Sequence, residues 1–338
     1  MDLNTIWFLL VAVLIIGYAV LDGFDLGVGV LHLFTRNEEE KRINMNAIGP
    51  VWDGNEVWLL TGGGALFAAF PIVYATVFSG FYIALMLLLF ALIFRAVSFE
   101  FRGKVESVKW KKTWDAAFGI GSLLPAILFG VAVGNILRGI PIDGNGIFTG
   151  NFFTLLNPYS ILVGILSLIL FTMHGSIYMT MKSEGNQQQR MKNTAPRLWI
   201  AFVSVYVIVT MYSIFESGYL FESMLSNPLF WILFIPMLAA IIYIPVGLKS
   251  EKPGRAFFAS SFTIACMIGL MAASLFPRLV PSLTDLTNSL TIYNASSTER
   301  TLFTMLIIAL IGMPLVIGYT IFIYRAFKGK VQIGEHSY

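Results

Sequence analysis

Charge is scarce in this sequence. Asp, Glu, Lys and Arg supply only 12% of the 338 residues, about half the share usual in a soluble domain, and mean hydropathy reaches +0.77. So few polar groups cannot clothe a globular surface, which excludes a soluble fold and leaves a polytopic membrane protein. Cysteine occurs once, as Cys266 in the apolar run Ile264-Ala265-Cys266-Met267. No internal disulfide and no thiolate metal centre can be built, and Cys266 reads as apolar filler. Histidine is nearly as rare. His32 falls at the interface end of the first apolar run, His336 in the tail, and only His174 inside a span, so no pair of histidines can face each other within the membrane. For His174 two readings stand: a single ligand opposite a methionine, or, more simply, a hydrogen-bonded core residue. The amino end lacks the basic flank of a cleavable signal, and its apolar run is too long for one, so it reads as a retained first helix. Gly62-Gly63-Gly64 is followed by no Lys-Ser/Thr pair, which rules out a phosphate loop and points to close helix packing.

What the sequence does contain is apolar runs able to cross about 30 Å of hydrocarbon, which takes about 20 residues. Nine are predicted: Ile6 to Leu33, Val51 to Phe70, Tyr74 to Phe99, Trp114 to Leu137, Asn157 to Met181, Pro196 to Gly218, Pro228 to Leu248, Arg255 to Phe276, and Thr301 to Arg325. The second is the least regular, since it opens with Asp53 and Glu56 and holds the glycine triplet. Basic residues sort by side. Of the 22 Lys and Arg, 19 fall in the loops and adjoining helix ends after the first, third, fifth and seventh runs and at the carboxyl end. Because cytoplasmic loops hold the basic excess, this predicts an outside amino terminus and a cytoplasmic carboxyl terminus. Omitting the second run would scramble the alternation. The expected fold class is thus an all-α polytopic membrane protein with nine transmembrane helices in a single integral domain over 1–338. Helices one to four (1–137) carry the buried acidic residues, and helices five to nine (157–325) serve mainly as scaffold. The outside segments Arg138 to Leu156 and Pro277 to Arg300 are turn-rich and predicted to be compact. The stretch from Arg102 to Lys112 reads as an inside loop meeting anionic lipid heads, with no nucleic-acid partner implied.

Two carboxylates interrupt the first run, in Gly17-Tyr18-Ala19-Val20-Leu21-Asp22-Gly23-Phe24-Asp25-Leu26-Gly27-Val28-Gly29. A charge at mid-membrane costs roughly 2.5 to 3.5 kcal/mol, so an ionisable residue there is a functional candidate by default. Asp22 and Asp25 are three apart and share a helix face, while the glycines let a neighbouring backbone approach. A second stretch answers it: Gly49-Pro50-Val51-Trp52-Asp53-Gly54-Asn55-Glu56-Val57-Trp58-Leu59-Leu60-Thr61-Gly62-Gly63-Gly64, continuing to Pro71. The predicted topology puts Asp22 and Asp25 in the cytoplasmic third of helix one. It brings Trp52, Asp53, Asn55, Glu56 and Trp58 of helix two, Arg95 and Glu100 of helix three, and Asp115 of helix four to the same level. Crowded, partly buried carboxyls can share a proton, so Asp22, Asp25, Asp53, Glu56 and Asp115 are candidates for a proton path, with Trp52, Asn55, Trp58 and Arg95 in support. The competing reading is that they cap helix starts or pair with Arg95 and only hold the bundle together.

These two stretches resemble subunit II of the cytochrome bd-type quinol oxidases, haem-containing terminal oxidases that oxidise quinol and reduce dioxygen to water. The resemblance continues through Phe99-Glu100-Phe101-Arg102-Gly103-Lys104, Trp114-Asp115, Gly150-Asn151-Phe152-Phe153, Phe276-Pro277 and Asn294-Ala295-Ser296-Ser297. It implies two four-helix bundles plus one peripheral helix, in a heterodimer with a similarly folded subunit I. That partner would supply the ligands of two b-type haems and one d-type haem, and the quinol site. The resemblance associates Asp22, Asp25 and Asp53 with a proton route and Trp58 with an oxygen passage. It also implies a structural quinone in this subunit in some members, small accessory subunits in others, and residence in a bacterial or archaeal cytoplasmic membrane. Two further readings of the residues stay open: a proton-coupled secondary transporter, and a purely structural subunit that shields the partner's cofactors.

Overall fold

The computed structural model describes residues 1–35, 37–222, 224 and 226–334. Its axis is α1 (Leu3–His32), 30 residues whose start is capped by Asp2, the carboxylate accepting from the Thr5 amide at 2.8 Å. The glycines of α1 act as the sequence suggests. The Trp58 ring lies over Gly17 and Phe171 over Gly23, Ser122 meets Gly29, and at Gly27 the Phe171 carbonyl and Gly175 come so close that a Cβ would overlap the backbone. Removing those side chains lets three neighbours crowd one helix.

The chain continues through α2 (Glu38–Ile48), α3 (Trp52–Ala69), α4 (Pro71–Gly80), α5 (Tyr82–Phe101), α6 (Val108–Arg138), α7 (Pro158–Lys182), α8 (Gly185–Glu216), α9 (Pro228–Lys249), α10 (Pro253–Leu275) and α11 (Glu299–Ala326). Eight of the described helices are long and apolar enough to cross a membrane: α1, α5 and α6 to α11. The protein is therefore a mostly helical, multi-pass membrane protein. The 18-residue α3 falls short on composition because of its polar first turns and its glycines, yet it still joins the two ends of the bundle. Its Asn55 sits beside Asp25 at one end, and at the other the carbonyls of Ala68 and Ala69 accept from Ser297.

Three expectations about the helices need adjusting. The run Tyr74 to Phe99 is two helices, α4 and α5, which meet at Phe81, where the backbone leaves helical values (φ −96°, ψ 15°). Hydrogen bonds from Phe81 to Val77 and from Leu85 to Phe81 carry the direction across this kink. Secondly, α2 occupies what reads as a loop. Asn37 caps it and Glu38, Glu39 and Glu40 fill its first turn, complementing the helix dipole, while Met45, Ala47 and Ile48 are buried. Thirdly, α8 starts 11 residues before Pro196, with Gln187, Met191 and Ala195 as the buried side of its polar first turns.

α1 packs on α3, α6, α7 and α10, and α5 on α6, while the largest apolar core lies among α7, α8, α9 and α10, around Tyr159, Met173, Phe202, Met237 and Ile244. α11 flanks α1 and α3 with Leu302 as its one buried residue among those described. One end of the bundle is tied by Arg190–Glu40 (2.7 Å), Lys192–Glu251 (3.4 Å) and the Val331 amide to the Lys182 carbonyl (2.8 Å). At the other end residues 139–157 and 277–298 fold over one another, the Ile140 amide donating to the Pro281 carbonyl and the Leu283 amide to the Ile140 carbonyl, beside the short antiparallel pair β1 (Arg278–Val280) and β2 (Leu290–Thr291). These are the turn-rich segments predicted to be compact.

Candidate functional site

Arg95, on α5, is wholly buried and is the hub of the site. Its guanidinium grips Asp22 with both terminal nitrogens, Nη2 to Oδ1 at 2.8 Å and Nη1 to Oδ2 at 3.2 Å. Nη1 also donates to Glu56 Oε1 at 2.8 Å, and Nη2 lies 3.9 Å from Asp25 Oδ2. Such forked geometry is what arginine offers and lysine does not. Asp22 and Asp25 have no exposure, whereas the Glu56 side chain is 21% exposed and marks the open side of the cluster.

A second layer holds Asp25. The Asn55 amide donates to Asp25 Oδ2 (2.7 Å) and to the Leu21 carbonyl (3.0 Å), and the Tyr324 hydroxyl donates to Asn55 Oδ1 (3.0 Å). Asp25 Oδ1, Arg95 Nε, the Tyr18 hydroxyl and Trp58 Nε1 are buried polar atoms with no hydrogen-bond partner. Four such atoms around one cluster depart from the usual rule that buried polar groups are paired. Trp58 packs with Leu14 and Tyr18 over Gly17, and Trp52 stacks on Phe99 (4.9 Å, interplanar 2°), so both tryptophans wall the site.

Not every predicted residue joins. Asp53, one turn before Glu56 on α3, is exposed and makes none of these contacts; it flanks Glu56 on the open side. Glu100 is exposed at the end of α5. Asp115 belongs to a separate cluster, bound by His32 Nε2 (2.9 Å), Lys41 (2.6 Å) and Arg102 Nε (2.6 Å), with Glu38 accepting from Arg102 Nη2 at 2.9 Å on both oxygens. His32 is thus an interior ligand of Asp115 and not an interface residue. Arg102 is likewise buried by its ion pairs and does not meet lipid heads.

The glycine triplet is a further correction. Gly63 and Gly64 have nothing within 4 Å of where a Cβ would stand, and Gly62 meets only Leu14, so no close packing within this chain explains them. Sequence reasoning missed Tyr324, Tyr18 and α2. For α2 a signal existed, in Asn37 followed by three glutamates; for Tyr324, one tyrosine in an apolar helix, there was none.

His174 bonds through both ring nitrogens, Nδ1 to Ser260 Oγ (2.7 Å) and Nε2 to the Val20 carbonyl (3.1 Å), and stacks on Phe257 at 4.6 Å. It ties α7 to α1 and α10. With both nitrogens engaged, it does not fit an axial haem ligand. His336 lies outside the described residues.

The family model for cytochrome bd terminal oxidase subunit II matches residues 3–327. The chain belongs to that family. It is 40% identical over 362 residues to cytochrome bd-I ubiquinol oxidase subunit 2 of Escherichia coli strain K12, covering 97% of this chain and 95% of that protein. Against cytochrome bd ubiquinol oxidase subunit 2 of Bacillus subtilis strain 168 the identity is 39% over 336 residues, with 99% and 98% covered. In fold it matches the solved bd oxidase of Geobacillus thermodenitrificans, with a TM-score of 0.81 over 97% of this chain and 99% of that one, at 17% identity. The resemblance carried by the two acidic stretches is therefore real kinship, and as subunit II of a bd-type oxidase the chain is not a secondary transporter.

Proposed function

We propose that this chain is the haem-free half of a quinol oxidase in a bacterial cytoplasmic membrane, and that the Arg95 cluster supplies protons from the cytoplasmic side for reduction of dioxygen to water. The observation that carries this is the mismatch of charge: three carboxyls, Asp22, Asp25 and Glu56, surround one buried guanidinium. Were all ionised, two negative charges would stay uncompensated in a site where each buried ion costs several kcal/mol. The cluster is therefore poised to hold an exchangeable proton. Asp25 Oδ1, free of partners, is the atom that takes and releases it. Glu56, partly exposed and flanked by Asp53, is the inlet; Arg95 fixes Asp22 so that the mobile proton stays on Glu56 and Asp25. Asp115, saturated by Lys41, Arg102 and the His32 ring, anchors α2 and carries no proton.

In this reading α3 is the ninth crossing, α1, α3, α5 and α6 form one four-helix bundle and α7 to α10 the other, and α11 is peripheral. The basic end of the bundle faces the cytoplasm. A haem-bearing subunit I is the partner; its two b-type haems and one d-type haem, when bound, supply electron transfer and oxygen chemistry. The relatives named as ubiquinol oxidases support quinol as the reductant.

The test is oxygen consumption per haem in the purified two-subunit enzyme. Asp25→Asn keeps shape and hydrogen-bonding capacity but removes the titratable proton, so haem content persists and turnover falls about tenfold or more, about 1.4 kcal/mol on the limiting step. Asp53→Glu retains more activity than Asp53→Asn. Parental rates in Asp25→Asn and Asp53→Asn would leave this subunit as scaffold.

A further inference from the structure

We infer that Tyr324, on α11, is a positioning residue for Asp25 and acts through the Asn55 carboxamide. The inference rests on the proton-supply reading for its effect on turnover, but its geometry stands alone. The orientation of Asn55 is set from both sides. Its Nδ2 faces two acceptors, Asp25 Oδ2 at 2.7 Å and the Leu21 carbonyl at 3.0 Å, so the NH2 group must point there. That leaves Oδ1 needing a donor, and the Tyr324 hydroxyl supplies it at 3.0 Å. Tyr324 can do so because its ring is steadied edge-on against Phe24, the neighbour of Asp25 on α1 (6.5 Å, 85°).

The consequence falls on the two oxygens of Asp25. With the amide locked, Oδ2 is held 3.9 Å from Arg95 Nη2, outside hydrogen-bond distance, and Oδ1 is kept free. Without the tyrosine hydroxyl the amide is held from one side only. Asp25 can then close on Arg95 as a full ion pair, which would take it out of proton exchange. α11 otherwise contributes little to the bundle, so a polar contact from this helix into the acidic cluster is best explained by the cluster's needs.

The decisive variant is Tyr324→Phe in the assembled two-subunit oxidase, read by the infrared carboxyl C=O band that Asp25→Asn abolishes and by turnover per haem. We expect Tyr324→Phe to shift that band and to slow turnover about three- to tenfold, the size of one neutral hydrogen bond. Tyr319→Phe, which removes an exposed hydroxyl from the same helix, leaves both unchanged. In an Asn55→Ala background Tyr324→Phe adds nothing further, because the coupling runs through Asn55. An unshifted band with parental turnover, or effects that add in the double variant, would overturn the inference. The two readings fail separately: if Asp25→Asn turns over like the parent, proton supply fails, while the band still reports whether Tyr324 positions Asp25. Should Tyr324→Phe not assemble, Asn55→Ser reports on the same link, and an unmoved band there overturns the inference equally.

Discussion

Arg95 holds Asp22 at 2.8 and 3.2 Å with neither side chain exposed, the closer of the two ion pairs, both made by Arg95, whose members are completely buried among the described residues. A buried pair of this kind adds little net stability, but halving it is expensive, since the survivor stays buried and unpaired.

Replacing Arg95 by Leu therefore leaves Asp22, Asp25 and Glu56 without their cation. The expected loss is about 3 to 5 kcal/mol, seen as failure to recover a haem-containing complex after detergent extraction. Arg95→Lys recovers part of the yield but cannot reproduce the two-pronged grip on Asp22 while also reaching Glu56. Equal yields for Leu and parent would mean that the cluster is not held by this cation.

Asp115 makes the opposite prediction to Asp25. Asp115→Asn leaves Lys41, Arg102 and His32 without their shared anion, and about 3 kcal/mol of local stability is lost. The α2 segment then opens, and limited proteolysis cuts between residues 36 and 50 far faster than in the parent. Turnover per intact enzyme changes little. A large loss of turnover without any change in cleavage would move Asp115 into the proton path.

The glycines divide into two kinds, and alanine scanning separates them. Gly27→Ala forces a methyl into the Phe171 carbonyl where α1 crosses α7, so the thermal midpoint falls by several degrees, as expected for about 1 to 3 kcal/mol of overpacking. Gly64→Ala meets nothing within the chain, and its own effect on this subunit's fold is slight. If Gly64→Ala nevertheless blocks recovery of the two-subunit enzyme, the methyl is meeting the partner. Similar midpoints for Gly27→Ala and the parent would contradict the close crossing.

Much of the site could be read from the sequence because its determinants are local. The spacing of Asp22 and Asp25 fixes a shared helix face, and the apolar runs fix their depth. Depth alone does not fix direction around the bundle, which is why Asp115 joins another cluster and Asp53 lies on an exposed face. His32 and Arg102 were unreadable for a different reason. Both meet at Asp115, and the rest of that cluster, Lys41 on Asp115 and Glu38 on Arg102, sits on α2, a helix too short and too polar to stand out beside long apolar runs. The kink at Phe81 left no trace because the residues on both sides are equally apolar, and composition carries no record of a one-residue departure in φ and ψ.

α11 lies along one side of the bundle, with Leu306 and Met313 packed on its apolar clusters, and is fastened by hydrogen bonds at both ends. Near its start the Trp7 indole donates to the Leu302 carbonyl (2.9 Å), and beyond its end Lys182 and Lys330 fasten the chain to α7 and the turn that follows it. Between these points lies Tyr324, whose partner Asn55 stands 269 residues earlier. Because α1, α3 and α5 precede α11 in the chain, Asp22, Asp25, Glu56 and Arg95 are all synthesised long before Tyr324 leaves the ribosome. The acids and their cation are thus made early and the tyrosine last, so that a nascent chain carries the acids before it carries the hydroxyl inferred to align one of them.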